Sequence, residues 1–274
     1  MPEINTYINP ETQQIYFELE NFSYDSSFWD QHWYLERNKN WNQLYRSSFV
    51  SRITLNHLDL GSKVLDAGCG DGRHIYALMN SGFDSFGLDY AYESVMYIKS
   101  TNPDIKVDLG DVRKMPYSEG SIDGIWSIGV IEHFFDGYSE ILAEASRCLR
   151  VGGYLFLTFP TMNPFRYLQI RFRHYFSLEV KPIDRKRFYQ YLLNPSEVER
   201  NACRFNFIKR KISYRSGLKG LKDAFKDTSL GALLNIAINK STRGDVFLRI
   251  FLKSCDIVLS PFMGHSCLII LQKI

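Results

Sequence analysis

Residues Val64–Ile75 read VLDAGCGDGRHI, and this stretch decides the fold. Val64 and Leu65 close a short apolar run, Asp66 follows, and glycines then fall at every second position, Gly68, Gly70 and Gly72. From Arg73 to Ser81 the apolar residues Ile75, Leu78 and Met79 recur at helical spacing, and Gly82 stands where such a helix stops. The segment is strand, glycine turn, helix. Glycines belong where backbone takes positive φ or comes close to a ligand. The turn aims the free N–H groups of a helix N-terminus at whatever binds there. A dinucleotide turn, Gly-x-Gly-x-x-Gly, needs its third glycine at the position of Arg73, and a triphosphate loop needs a Lys-Ser/Thr pair that this stretch lacks.

Outward from the turn the alternation continues. Asp84 to Asp89 predicts a second strand ending in an acid, 21 positions beyond Gly68. An acid at that tip can accept both hydroxyl hydrogens of a ribose; as a plain helix cap it would serve the segment from Glu93 onward. A helix over Tyr92 to Ser100 stops before Pro103, and Ile105, Val107 and Leu109 alternate as a third strand. Gly110-Asp111-Val112 and Met115-Pro116-Tyr117 follow. Ile122 to Ile128 reads as a fourth strand, Tyr138 to Leu149 as a helix, Arg150 to Gly153 as a turn and Tyr154 to Phe159 as a fifth strand. Strands alternating with helices give a parallel sheet covered on both faces, with ligands at the carboxyl ends of the strands. Asp66, Asp89, Asp111 and Ser127 all stand at or just past such ends.

The glycine turn resembles motif I of the class I S-adenosylmethionine (SAM) dependent methyltransferases. Gly-Asp followed by Met-Pro-Tyr, and the runs SIDGIWSIGVIEHF and EILAEASRCLRVGGYLFLTFP with Glu144, Arg147 and Leu149 in phase, resemble the later phrases of that family in the same order. The likeness is strong over 61–160 and only in outline elsewhere. It implies an α/β, Rossmann-like, doubly wound seven-stranded sheet, mostly parallel with an antiparallel C-terminal strand, and a lid insertion after strand five. It implies SAM as cofactor and S-adenosylhomocysteine as product. Asp66, Gly68, Cys69, Gly70, Asp89, Tyr90, Asp111, Val112 and Ser127 are its implied contacts, with Asp89 on the ribose, Tyr90 against the adenine edge and Asp111 accepting from the adenine amino group, which is a donor. Some quinone-type O-methyltransferases of the family carry Glu-x-x-Glu-His and use a divalent metal; here the first position is Gly129, so no catalytic metal is expected.

The chain has 274 residues and a formal net charge of +3, enough to bury a full core. Its five cysteines form no C-x-x-C pair, which suits a reducing cytosol and argues against a disulfide framework or structural zinc. The N-terminus lacks the apolar stretch of a secretory signal, and the apolar runs fall short of the roughly 20 residues of a membrane span. A cytoplasmic location is expected.

Residues 1–60 are expected as an N-terminal arm and helices over the cofactor site, 61–160 as the cofactor-binding core, 161–204 as a substrate lid and 205–274 as the completion of the sheet. In the first part, Gln14 to Leu19 is one candidate strand. Phe28 to Leu58 is helical and aromatic-rich, read as helices packed across the sheet edge, with closure of Trp or Tyr side chains over a ligand as the alternative. Further on, Ser196 is the expected cap of a helix, Phe205 to Tyr214 the sixth strand and Cys267 to Gln272 the C-terminal strand, inserted between five and six. Asp245 to Leu259 is an amphipathic helix whose Val246, Ile250, Phe251, Ile257 and Val258 are expected in the core, with a helix lying on a membrane surface as the alternative.

Methyl transfer from an activated sulfonium needs alignment above all. For a hydroxyl acceptor a base helps, and His133 and Glu132, just past the fourth strand, are the candidates. Residues 161–191 carry seven basic and two acidic side chains, whereas residues 1–60 carry four basic and eight acidic. Arginines with interleaved aromatics, Arg171 and Arg173 among them, suit a small-molecule or saccharide acceptor with an anionic group. Three other readings stay open: a SAM-binding subunit without turnover, an NAD-dependent enzyme, against which the misplaced third glycine argues, and an RNA methyltransferase, for which no RNA-module phrase is present.

Overall fold

A computed structural model describes residues 4–19, 26–36, 48–172, 178–225, 229, 232–236 and 246–274. The part of the helical, aromatic-rich segment Phe28 to Leu58 that falls on 37–47, and Arg173, lie outside these residues. The chain forms strands β1 (Ile4–Ile8) and β2 (Ile15–Leu19), helices α1 (Ser26–Glu36) and α2 (Phe49–Leu55), then β3 (Lys63–Ala67), α3 (Arg73–Met79), β4 (Asp84–Asp89), α4 (Tyr92–Thr101), β5 (Lys106–Leu109) and β6 (Ile122–Ile128). A 3-10 turn (Ile131–His133) leads to α5 (Ser139–Cys148), β7 (Leu149–Pro160), α6 (Pro164–Arg171), β8 (Glu179–Val180), β9 (Phe188–Tyr191), α7 (Pro195–Cys203), β10 (Phe207–Arg215), α8 (Gly217–Ala224), α9 (Val246–Met263) and β11 (Ser266–Lys273).

Seven strands form the central sheet in the order β10-β11-β7-β6-β3-β4-β5. β11 runs antiparallel between β7 and β10, and β3 to β7 pair in parallel. The order turns back at β3, so the carboxyl ends of β3, β4 and β6 open onto one crevice, where such sheets bind ligands. The central strands are buried on both faces, which explains their continuous apolar runs. Trp126 on β6 is fully buried; its ring stacks on Phe156 at 4.5 Å and its Nε1 donates to Thr54 Oγ1 at 2.9 Å. A buried indole N–H needs that partner.

The Glu144–Arg147 pair on α5 acts at a distance in sequence. Glu144 Oε2 accepts the Met115 N–H at 2.8 Å, and Arg147 donates to the carbonyls of Tyr117 and Met115 at 2.7 and 2.9 Å. The pair clamps the loop that follows Asp111, so this phrase of the sequence serves the site by positioning one of its walls.

Three local expectations change. Arg150 to Gly153 is no turn between elements: β7 runs through it, with a register shift against β6 between Ile122 and Gly124. Gly152, at φ +81°, admits the bulge without breaking the strand. The cap of α7 is Asn194, whose Oδ1 accepts the Ser196 N–H at 2.9 Å; Pro195 occupies the first helical position, which its fixed φ suits. Ile250, Phe251, Ile257 and Val258 on α9 are 60 to 69% exposed and are not core; the side chain of Val246 lies outside the described residues. Arg171 is exposed at the end of α6.

The arm and the insertion share a second sheet, of order β8-β1-β2-β9. β1 and β2 form an antiparallel hairpin, and β9 pairs with β2. Tyr16 is fully buried there, and Lys181 Nζ meets the buried Glu18 carboxylate at 2.8 Å. This small sheet brings Tyr189 of β9 to the crevice of the large one.

Candidate active site

The three glycines of the turn after β3 have φ values of +82°, +55° and +81° at Gly68, Gly70 and Gly72, which only glycine adopts without strain. A Cβ at Gly68 would strike Val130, and one at Gly70 would overlap the Trp33 indole. The turn folds back over the tip of β4: Asp89 Oδ2 accepts the Gly70 N–H at 2.7 Å and its Oδ1 accepts the Ala91 N–H at 2.9 Å. Burial raises the Asp89 pKa, and these backbone donors oppose it. Each carboxylate oxygen keeps a second lone pair, enough for a pair of ligand hydroxyls.

Over this turn lies a cavity of about 340 Å³. Gly68, Asp89, Tyr90, Asp111 and Val112 line its base, Glu132 and His133 one wall, and Trp29, His32 and Trp33 of α1 close it from above with Tyr189. Of the residues singled out in the sequence, the structure gathers these seven around one cavity. Asp66, Cys69, Gly70 and Ser127 do not line it. The Cys69 side chain packs in a core cluster with Ile75 and Val95, so its backbone is the part that stands at the turn. Asp66 and Ser127 are buried just beneath. Among the described residues neither oxygen of Asp66 nor the Ser127 hydroxyl has a hydrogen-bond partner. Burial, then the neighbouring Asp89 and Asp71, push the Asp66 pKa well up.

Asp111 is gripped by Arg113, whose Nη2 donates to Oδ2 at 2.6 Å and whose Nε donates to Oδ1 at 3.1 Å. Burial works against the charge of Asp111, yet the Arg113 hydrogen bonds prevail and hold its pKa below the usual value. It is therefore an ionised acceptor. His133 Nδ1 lies 2.9 Å from the Tyr189 carbonyl. A carbonyl only accepts, so Nδ1 carries the hydrogen and Nε2 the lone pair. The ring is packed between Trp29, at 4.8 Å, and Tyr189, at 4.9 Å, and its exposed part faces the cavity. Burial pulls its pKa down to about 4, so the imidazole is neutral at pH 7. Glu132 is buried, its pKa pushed up to about 8 by desolvation, and its Oε2 has no partner among the described residues. At pH 7 it is mostly a neutral acid.

Trp29 and Trp33 belong to the aromatic run whose closure over a ligand is the alternative reading, and Tyr189 to the interleaved aromatics of 161–191; His32, Arg113, Val130 and Phe134 are wall residues to which the sequence assigned no role.

The residues at the turn fit a SAM-like ligand. Asp66, Asp71 and Asp89 crowd the turn, and the Arg73 guanidinium answers Asp71 at 2.7 Å. An orphaned buried carboxylate calls for a donor or a cation, which the ammonium of SAM supplies, while Asp89 suits its ribose. A diphosphate would meet like charge.

A family model described as a methyltransferase domain matches residues 65–157. A protein of Mycolicibacterium smegmatis named as a probable S-adenosylmethionine-dependent methyltransferase is 29% identical over 124 residues, 45% of this chain and 48% of that protein. A probable tRNA methyltransferase 9B of Bos taurus is 35% identical over 99 residues, 35% of this chain and 21% of that protein. The chain thus spans about half or less of the relatives it matches. The 1,6-didemethyltoxoflavin-N1-methyltransferase of Burkholderia thailandensis, crystallised with S-adenosylhomocysteine, superposes with a TM-score of 0.55 over 99% of both chains at 14% identity, which shows a shared fold.

Proposed function

We propose that this chain, whose residues 65–157 belong to the methyltransferase domain family of the class I SAM-dependent enzymes, transfers a methyl group from SAM to the oxygen of a small-molecule or saccharide acceptor. The observation that carries the reading is Asp89 at the glycine turn, which lines the cavity and keeps a second lone pair on each carboxylate oxygen. Those acceptors suit the paired hydroxyls of a ribose, and the misplaced third glycine argues against the diphosphate of a dinucleotide. SAM bound there supplies a methyl group already activated on a sulfonium. Asp89 holds the ribose, Asp111 the adenine amino group, with Val112 and Tyr90 against the ring. Trp29, Trp33 and Tyr189 exclude water and fix the acceptor's approach. His133, neutral and with its lone pair on Nε2, takes the hydroxyl proton. Glu132, protonated at pH 7, keeps a second negative charge away from that wall. A cavity of about 340 Å³ with aromatic walls supports a small acceptor over a folded tRNA, although tRNA enzymes are among the relatives.

The test is calorimetric titration of the full chain with S-adenosylhomocysteine, with NADH as the control. The wild type should bind the first and not the second. Asp89→Ala should weaken binding by tenfold or more, since hydrogen bonds to charged groups are worth about 1.5–3 kcal/mol. Unchanged affinity in a folded Asp89→Ala protein would remove this residue from the site. His133→Ala should leave the affinity within about twofold, because a proton acceptor for the other substrate makes no ground-state contact with the nucleoside.

A further inference from the structure

A second cavity, of about 730 Å³, lies between the small sheet and helices α6 and α8. Tyr189 lines both cavities. If the first holds the nucleoside, the second is the space left for the acceptor.

Its chemistry is set by Arg166. This residue is 6% exposed and stands in the first turn of α6, where Asn163 caps the helix by accepting the Arg166 N–H at 2.9 Å. Its Nη1 donates to the carbonyls of Thr161 and, at 3.4 Å, His265. Both acceptors are neutral. Among the described residues Nε and Nη2 have no hydrogen-bond acceptor. Asp223, on the same cavity, lies 2.7 Å from His265 Nδ1, whose pKa burial lowers, and its carboxylate charge acts on Arg166 and Lys219 from across the cavity without a hydrogen bond to either. Lys219, one turn earlier on α8, lines the cavity as well, and Glu179, the other acid there, is an exposed residue of β8. Burial pulls the Arg166 pKa down to about 10 and lowers that of Lys219 too. A desolvated guanidinium whose hydrogen-bond acceptors are neutral carbonyls, with Asp223 acting only at a distance and shared with Lys219, is costly until an anion meets its fork, and that planar fork matches the oxygens of phosphate or carboxylate.

We propose that the second cavity binds the oxyanionic end, phosphate or carboxylate, of the methyl acceptor through Arg166 and Lys219, the molecule passing Tyr189 to present its hydroxyl beside His133. This rests on the methyltransferase reading above, and it replaces the exposed Arg171 with a buried cation as the basis of anion selection.

The experiment titrates the full chain, saturated with S-adenosylhomocysteine, with inorganic pyrophosphate and separately with citrate, against sodium chloride at matched ionic strength. At least one probe should bind saturably; pyrophosphate alone points to a phosphorylated acceptor and citrate alone to a carboxylated one. Lys219→Ala should weaken that binding at least about fivefold and Arg166→Met at least about tenfold, with S-adenosylhomocysteine affinity within about twofold of wild type. If Arg166→Met fails to fold, Lys219→Ala carries the result. Normal binding of S-adenosylhomocysteine with no saturable binding of either probe, or with probe binding that Lys219→Ala leaves unchanged, overturns the anion site alone. Failure of the wild type to bind S-adenosylhomocysteine overturns the methyltransferase reading and this inference with it.

Discussion

Glu132 holds its proton because burial raises its pKa from 4.5 to about 8. Between those values the folded chain binds more protons at this site than the unfolded chain does. The stability contribution therefore falls as pH rises through the window, and the cost is complete above about 8. Glu132→Gln, a neutral isostere, removes that dependence. The variant should be more stable than wild type at pH 8.5, by on the order of 1–3 kcal/mol, and nearly equal at pH 5, as read by urea denaturation at both pH values. A variant less stable at both would mean that the carboxylate has a partner which glutamine cannot replace. His133 has the opposite sign. Its pKa of about 4 in the folded state, against 6.5, makes the unfolded chain the better proton binder between those values, so its contribution is lost as pH falls from 6.5 to 4. Nitrogen chemical shifts of its imidazole should show a neutral ring, hydrogen on Nδ1, from pH 8 down to about 5. A ring that titrates near 6.5 would end the argument that burial and the Tyr189 carbonyl fix this tautomer.

Helix α9 shows what periodicity conveys and what it leaves out. Its apolar residues do recur at helical spacing, and the helix forms over Val246–Met263. Periodicity reports that one side is apolar; it does not report what covers that side. Met263 and Ser260 face inward, whereas Ile257, Val258 and Phe262 are 63 to 69% exposed. The double substitution Ile257→Ser/Val258→Ser should accordingly change unfolding free energy by about 0.5 kcal/mol or less per site, where burial in a core would make it cost several kcal/mol. Thermal unfolding of the purified variant decides between them. The strands and helices from β3 to β7 were legible because each combines a strong period with a glycine, proline or acid at its end. The bulge at Gly152 was not, because a Gly-Gly pair with one positive φ reads the same in a turn and in a bulged strand. Likewise Asp89, Asp111 and His133 were readable from their places after strands. Arg166 is hidden in a basic run, and only the fold shows it to be the buried member.

At the scale of the molecule the two sheets rest on separate clusters, and Tyr189 of the small one borders both cavities. The large sheet is held by an extended cluster running from Leu65 to Leu271, whereas the small sheet rests on Ile8, Ile15, Met162 and Leu192. Helix α1 is attached to the larger body more lightly still. Asp30 accepts the Ser94 N–H at 3.2 Å, Arg73 lies over the Trp33 ring at 5.6 Å and Trp29 meets His133 edge-on at 4.8 Å. The side chains of residues 26–34 are all half-buried or exposed, and such segments open at lower free energy than the sheet beneath them. If α1 closes over the nucleoside, the ligand becomes the surface on which Trp29 and Trp33 rest, and binding must stabilise this helix by up to RT ln(1 + [L]/Kd), about 2.7 kcal/mol at a hundredfold excess over Kd. Amide hydrogen exchange in α1 should therefore slow at least about tenfold when S-adenosylhomocysteine is saturating. Exchange in α2, which is packed on the far cluster with Val50 and Trp126, should change much less. The competing account is that the aromatic run over residues 28–36 is ordinary packing across the sheet edge. On that account binding protects the glycine turn at residues 68–72 and leaves α1 as it was. The two helices in one exchange experiment separate these accounts, since both respond to global stability but α1 alone borders the cavity.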